Sequence, residues 1–192
     1  HLSDRRQRQM CIRDSYTAGQ DETDDVVAAI SWLKDKGVKS SNIGLYGSSL
    51  GGLVALMTPA KSDDFGSIAV IDPPVDFKTL VREEMAYQGL PTFLWEPIHH
   101  YAGIFKGVNM LKDIPEEALA KGNKQPLLIF TGLLSERVQP HHSDDLVNIA
   151  IQNNIEYDIH KYTDMNHTQI LYFYTEEYSE LLTDFYQRTL SG

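Results

Sequence analysis

Two adjacent serines, Ser48 and Ser49, stand among the glycines of Gly47-Ser48-Ser49-Leu50-Gly51-Gly52. Residues 47–51 match Gly-x-Ser-x-Gly with Ser49 at the centre. The apolar run "NIGLY" (42–46) precedes the motif and "LGGLVALMT" (50–58) follows it, so it falls at a strand-to-helix turn. Such a turn forces the central serine into a strained backbone and lifts its hydroxyl above the sheet, where a nucleophile is needed. Glycines at 47 and 51 are expected because a Cβ there would meet neighbouring backbone, and Gly52 is expected to let the helix pack closely. Leu50 opens the helix, which points its backbone N–H at a site for an oxyanion. Ser48 lacks that geometry. A serine hydroxyl is a poor nucleophile until an imidazole takes its proton.

The elements that would carry this motif are legible around it. Asp21, Glu22, Asp24 and Asp25 crowd a helix N-terminus, where carboxylates suit the dipole. Val26, Ala29, Ile30 and Leu33 follow at helical spacing, and Gly37 closes the helix. "SIAVI" (67–71) reads as a buried strand ended by Asp72-Pro73-Pro74, and "PLLIF" (126–130) as another. Ser143 is the expected cap of a helix carrying Leu146, Ile149 and Ala150. "IEYDIHKY" (155–162) alternates as a strand, and Thr175 starts a last helix with Tyr178, Leu181, Leu182 and Phe185 on one face. Alternating strands and helices imply an α/β domain on a mostly parallel sheet. Between residues 77 and 123 the alternation lapses into a stretch with Tyr87, Phe93, Trp95, Tyr101 and Phe105. That insertion reads either as a lid over a ligand crevice or as an excursion whose aromatics pack on the sheet.

With "GLYGSSLGG" (44–52), the "PLLIFTG…RV" strand and loop, and "DMNH" (164–167), the chain from Gly19 to Leu190 resembles the α/β-hydrolase superfamily. The likeness is greatest to its dienelactone-hydrolase and prolyl-oligopeptidase-like branches. The resemblance implies a three-layer α/β/α fold and a triad in the chain order serine, acid, histidine. His167 lies in the polar loop after the last strand, where the family places its base. The family's acid is an Asp three residues after a glycine, in a G-x-x-D-x-x-V arrangement. Here Gly132 is followed by Leu133, Leu134 and then Ser135, with Glu136, Arg137 and Val138 beyond. Serine cannot support an imidazolium as a carboxylate does. Glu136, one residue on, is taken as the substitute, with Asp72 at the end of the preceding strand as the alternative. Asp164 is too local to His167 to orient it.

The expected function is therefore a serine hydrolase that cleaves an ester, thioester or amide, with Ser49, His167 and Glu136 catalytic and Leu50 in the oxyanion hole. The substrate would be a small acyl compound or a peptide. The competing reading is a non-catalytic binding or scaffold protein that keeps the turn but lacks a working acid. No cofactor and no metal are expected. His99–His100 and His141–His142 are adjacent pairs whose side chains should point apart, and no third ligand is spaced for zinc. His160 falls within a strand.

Composition narrows the classes further. A net charge of −10 argues against a nucleic-acid surface. No apolar run approaches the roughly 20 residues that cross a bilayer, and the single Cys11 excludes an internal disulfide. A cytoplasmic protein of unassigned oligomeric state is the expectation. Residues 1–15, "HLSDRRQRQMCIRDS", carry four Arg against two Asp and show no apolar periodicity. "MCIRDS" resembles a translated sequencing adapter, so the segment is expected to be a scar or a disordered arm, with the domain over 16–192. The resemblance also implies strands before the serine, one of whose loops supplies a second oxyanion donor. Residues 1–20 offer neither, so the likeness is to the later part of the domain, and weak turnover is expected of this chain alone.

Overall fold

In the computed structural model, residues 17–106, 109, 112 and 114–190 are described. The expectation for residues 1–15 lies outside them. Among the described residues, four parallel strands form one sheet in the order β1-β2-β3-β4: β1 Gly44–Ser48, β2 Ser67–Ile71, β3 Leu127–Gly132 and β4 Tyr157–Tyr162. Parallel neighbours need crossovers, and helices supply them. Helix α1 (Glu22–Asp35) precedes β1, and α2 (Leu50–Met57) joins β1 to β2. Helices α3 (Phe77–Tyr87), α4 (Trp95–Lys106) and α5 (Pro115–Lys121) lie between β2 and β3. Helix α6 (His141–Gln152) joins β3 to β4, and α7 (Ile170–Phe173) and α8 (Thr175–Thr189) follow.

The two-residue alternation of a strand divides the core between the sheet's faces. Ile68 and Val70 of β2, with Leu127 and Ile129 of β3, pack with Ile30 of α1, Leu56 of α2 and Leu146 of α6. Ala69 and Ile71, with Leu128 and Phe130, pack on the opposite side with Ile170, Tyr178 and Phe185. Both faces are covered, so β2 and β3 are buried throughout and read as unbroken apolar runs. This is the three-layer α/β/α arrangement. None of the helices described is long and apolar enough to cross a membrane.

Some boundaries depart from the sequence reading. Residues Ser40–Asn42 form a short 3-10 turn, which moves β1 to Gly44–Ser48. Helix α6 starts at His141 after Pro140, which leaves Ser143 buried inside the first turn rather than at the cap. The stretch 77–123 holds α3, α4 and α5. Trp95 there is 2% exposed, between Phe77 and His99, whereas Tyr87, Phe93 and Tyr101 are exposed.

Candidate active site

A parallel sheet delivers the C-terminal ends of all its strands to one edge, and four consecutive loops meet there. Ser49 follows β1, Asp72 follows β2, Ser135 follows β3 and His167 follows β4. Ser49 has φ 54° and ψ −123°, in the left-handed half of backbone space that a non-glycine residue avoids. It is pinned from both sides. Its N–H donates to the Ile71 carbonyl at 2.8 Å, and its carbonyl accepts from Gly52 and Leu53 at 2.8 and 3.2 Å.

Gly47 is the glycine this turn requires, because a Cβ there would lie 2.2 Å from the Gly51 carbonyl oxygen. Gly52 faces Pro73, and a Cβ there would lie 3.0 Å from the Pro73 Cβ, a tight contact. The expectation for Gly51 is corrected: a Cβ at that position meets nothing within 4 Å. Gly47→Ala should therefore lower stability by about 3 kcal/mol, at the top of the range for overpacking. Gly51→Ala should be neutral or gain up to about 1 kcal/mol from helix propensity. Urea unfolding midpoints of the two variants check this, and a Gly47→Ala midpoint equal to wild type would refute the steric account.

The Ser49 Oγ lies 2.9 Å from His167 Nε2, across 118 residues of sequence. The backbone around His167 is held by its neighbours. Asn166 Oδ1 accepts the His167 N–H at 2.6 Å, and Gln169 Oε1 accepts the Asn166 N–H at 2.9 Å. The loop crosses β3 closely: a Cβ on Gly132 would lie 2.5 Å from the Met165 carbonyl oxygen.

Behind the imidazole, Ser135 Oγ is 3.2 Å from His167 Nδ1, and Asp72 Oδ2 is 3.8 Å from the same atom. If Ser49 donates to Nε2, the ring proton sits on Nδ1 and Ser135 Oγ accepts it. Asp72 is 1% exposed, and each of its oxygens accepts a backbone N–H, from Gly132 at 2.9 Å and from Thr168 at 2.7 Å. Those contacts tie the acid to both the β3 and the His167 loops. Burial pushes the Asp72 carboxyl above its usual range, while the two N–H groups and His167 act in the other direction. Burial also lowers the imidazole of His167; Asp72 opposes that and Arg137 adds to it.

Ser49, Asp72 and His167 are thus brought together, and Glu136 is not among them. Its side chain is exposed, and its backbone N–H donates to Asn166 Oδ1 at 3.3 Å. Ser135 is 4% exposed and turned toward the imidazole, whereas Glu136 beside it is exposed. The carboxylate that faces His167 Nδ1 is that of Asp72, the alternative weighed from the sequence. Leu50 is the first residue of α2, so its N–H has no carbonyl one turn back within the helix.

A cavity of about 440 Å³ opens beside Ser49 and His167. Phe77, Leu80, Val81 and Met85 of α3, with Leu90 and Val138, line its apolar side. Glu84 and Arg137, paired at 3.1 Å, add the charged part. Helix α3, the first part of the 77–123 stretch, makes a wall of this pocket, and its 77–80–81–84–85 spacing is that of one helical face.

One histidine expectation is also corrected. His141 and His142 do not point apart: both rings face Glu83, at 2.6 and 3.3 Å, with centroids 4.4 Å from each other. The two oxygens of one carboxylate from α3 collect both side chains at the first turn of α6.

A profile of the prolyl oligopeptidase family matches residues 13–192. Inactive dipeptidyl peptidase 10 of Mus musculus is 27% identical over 150 residues, 76% of this chain and 17% of that protein. Dipeptidyl peptidase 8 of Homo sapiens is 24% identical over 155 residues, 80% of this chain and 16% of that protein. The chain thus spans about one sixth of the length of these curated relatives. A puromycin-hydrolyzing peptidase of Mycobacterium tuberculosis superposes with a TM-score of 0.71 at 18% identity, over 90% of this chain and 26% of the other. At that identity the likeness speaks for the fold. A profile match over nearly the whole chain goes further, and by it this chain belongs to the prolyl oligopeptidase family.

Proposed function

We propose that this chain carries the reacting centre of a serine hydrolase, with Ser49 as nucleophile, His167 as general base and Asp72 as the acid. The observation that carries the reading is the 2.9 Å contact between Ser49 Oγ and His167 Nε2, backed by Asp72 at 3.8 Å from Nδ1. In the reaction, Nε2 takes the hydroxyl proton as Oγ attacks the carbonyl carbon. The developing oxyanion is met by the Leu50 N–H at the start of α2. The Nε2 proton then passes to the leaving amine, alcohol or thiol, which departs as the acyl-enzyme forms. Water, deprotonated by the same nitrogen, releases the acid and regenerates Ser49. The family favours a peptide or other amide as substrate, and the apolar lining beside Ser49 favours an apolar group on the acyl side.

Family membership alone does not decide catalysis, since one matched relative is named inactive. That relative, and Ser135 in the position of the usual acid, support the second reading of a non-catalytic binding protein. A fluorophosphonate probe separates the two. The working centre takes the probe, and peptide mass analysis finds the adduct on Ser49. A chain that stays unlabelled under conditions that label a control serine hydrolase defeats the first reading.

The pH dependence of labelling follows from the same geometry. The base works when neutral, and burial together with Arg137 holds His167 below its ordinary value of about 6.5. The acid limb of the labelling rate should therefore lie below pH 6.5 and move upward in Arg137→Gln, because removing a nearby cation favours the imidazolium. A limb above that value in the wild type would contradict the assignment.

A further inference from the structure

Helix α3 forms one wall of the cavity beside Ser49, yet Met85 is its one buried residue. Apolar packing therefore holds this wall weakly, and its polar ties carry more of the load. The Glu84–Arg137 pair is largely in water, where such pairs contribute little. The tie at Glu83 is different. Its side chain is 16% exposed, and it meets the fully buried ring of His142 as well as His141. His142 Nδ1 also accepts the Val75 N–H at 3.3 Å, which fastens the loop leading into α3.

We propose that Glu83, gripped by His141 and His142, is a positioning residue that holds α3 as the acyl-selecting wall of the Ser49 pocket, with its ties complete when His141 is protonated and the neutral ring of His142 accepts the Val75 N–H. The proposal rests on the serine-hydrolase reading for what the wall selects, but not for the grip itself. Glu83 at residue i of α3 has Glu84 beside it and Leu80 one turn before it, both lining the cavity. Releasing Glu83 therefore frees the segment that shapes the pocket.

The three side chains bring donor atoms within 4.8 Å of one another, close enough to share a metal ion. The tautomer of His142 speaks for a proton clamp instead. Because Nδ1 accepts a backbone N–H, the ring proton of neutral His142 is on Nε2 and points at Glu83. A metal would need the lone pair of that same Nε2, and the displaced proton would have to face the Val75 N–H.

The groups that act on the pair are Glu83 from α3 and Asp145 from α6, together with each ring on the other. Burial alone would lower His141, but its contacts with Glu83 and Asp145 outweigh that and raise it. Burial and the neighbouring His141 lower His142, against the pull of Glu83. The sign of each is opposite. The His141 tie is present at low pH and is lost as pH rises through its raised pKa. The bond from the Val75 N–H to His142, which needs a free lone pair on Nδ1, is present at high pH and is lost as pH falls through the depressed pKa of His142. The clamp is complete between these two values, a window that straddles the ordinary histidine value of about 6.5.

Hydrogen exchange of the α3 amides, corrected for intrinsic rates, tests the clamp on the whole chain without requiring activity. Wild-type α3 should exchange slowest inside that window and faster on both sides. Glu83→Ala should speed exchange of residues 80–85 about 10-fold or more, as expected for loss of a charge-assisted hydrogen bond, and flatten the profile. Glu83→Gln, nearly the same in volume, should flatten it too, which a purely steric role would not. His141→Lys should keep the protection and remove its alkaline loss. In parallel, the ratio of labelling rates for a long-chain and a short-chain alkyl fluorophosphonate should fall about 10-fold in Glu83→Ala. Unchanged α3 exchange in both Glu83 variants overturns the clamp. So does zinc that slows α3 exchange in wild type but not in Glu83→Ala, which would make the cluster a metal site. A wild-type chain that takes neither probe defeats the hydrolase reading alone, and the exchange data still decide the clamp.

Discussion

Ser49→Ala is expected to erase fluorophosphonate labelling and to lower acyl transfer by about 10⁶, the scale seen when a triad nucleophile is removed. His167→Ala alone should cost a similar factor, and the double variant little more than either. The reason is that the two residues act as one unit: without Oγ there is nothing for Nε2 to deprotonate, and without Nε2 the hydroxyl keeps its proton. Ser48→Ala should change labelling by no more than a few-fold, because Ser48 is the last ladder residue of β1, opposite Ile71, and precedes the turn. Thermal midpoints should stay near wild type in all of these. The substitution at residue 49 removes one oxygen from a half-buried side chain and leaves the pinned backbone as it was. Additive losses from Ser49→Ala and His167→Ala, or labelling that moves to Ser48, would overturn the site.

What the sequence made legible, and what it hid, divides along the range of the interactions. Ser49 could be found because most of its geometry is set locally, by Gly47 on one side and the first turn of α2 on the other, and the Ile71 carbonyl adds a tie from β2. Strands β2 and β3 could be found because burial on both faces leaves an apolar run with no polar interruption. His167 could be placed because the family resemblance puts the base in the loop after the last strand, and a parallel strand ends at the same edge as β1.

The carboxylate facing His167 could not be found this way. Glu136 and Asp72 belong to different loops of the same edge, and the choice between them turns on which one faces inward. That is decided by backbone contacts far away in sequence: Leu134 N–H to the Met165 carbonyl at 2.9 Å, and Gly132 and Thr168 N–H to Asp72. A signal was nevertheless present, in a carboxylate set directly at the end of the wholly buried strand "SIAVI" and followed by two prolines. The grip on Glu83 was hidden for the same reason, because His141 and His142 meet a residue 58 and 59 positions earlier. Two adjacent histidines on an isolated helix would diverge; the bridging carboxylate is what makes them converge.

Asp72→Asn is expected to slow labelling of Ser49 by about 10³–10⁴. A unit charge about 4 Å from the imidazolium contributes about 4 kcal/mol at an effective dielectric near 20, which is about three decades in rate. Losing the orientation of the imidazole can extend that to about 10⁴. The backbone should tolerate the change, because Asp72 has φ 42° and asparagine is among the residues most often found there. One of the two backbone donors, Gly132 or Thr168, would face the amide NH₂ instead of an oxygen, so a stability loss of about 1–3 kcal/mol should accompany the variant. Glu136→Gln should be silent, since that carboxylate points into solvent. Ser135→Ala should cost about tenfold, the worth of one hydrogen bond to Nδ1. Ser135→Asp in the wild-type background should gain little, because two buried carboxylates beside one imidazole repel and one stays protonated. In the Asp72→Asn background the same Ser135→Asp change should recover most of the lost rate, because it returns a single carboxylate to the partner position of Nδ1. Labelling rates of these five variants decide the acid: a fast Asp72→Asn with a slow Glu136→Gln would move it to the loop after β3, and a double variant no faster than Asp72→Asn would show that the charge at residue 72 acts on more than the imidazole.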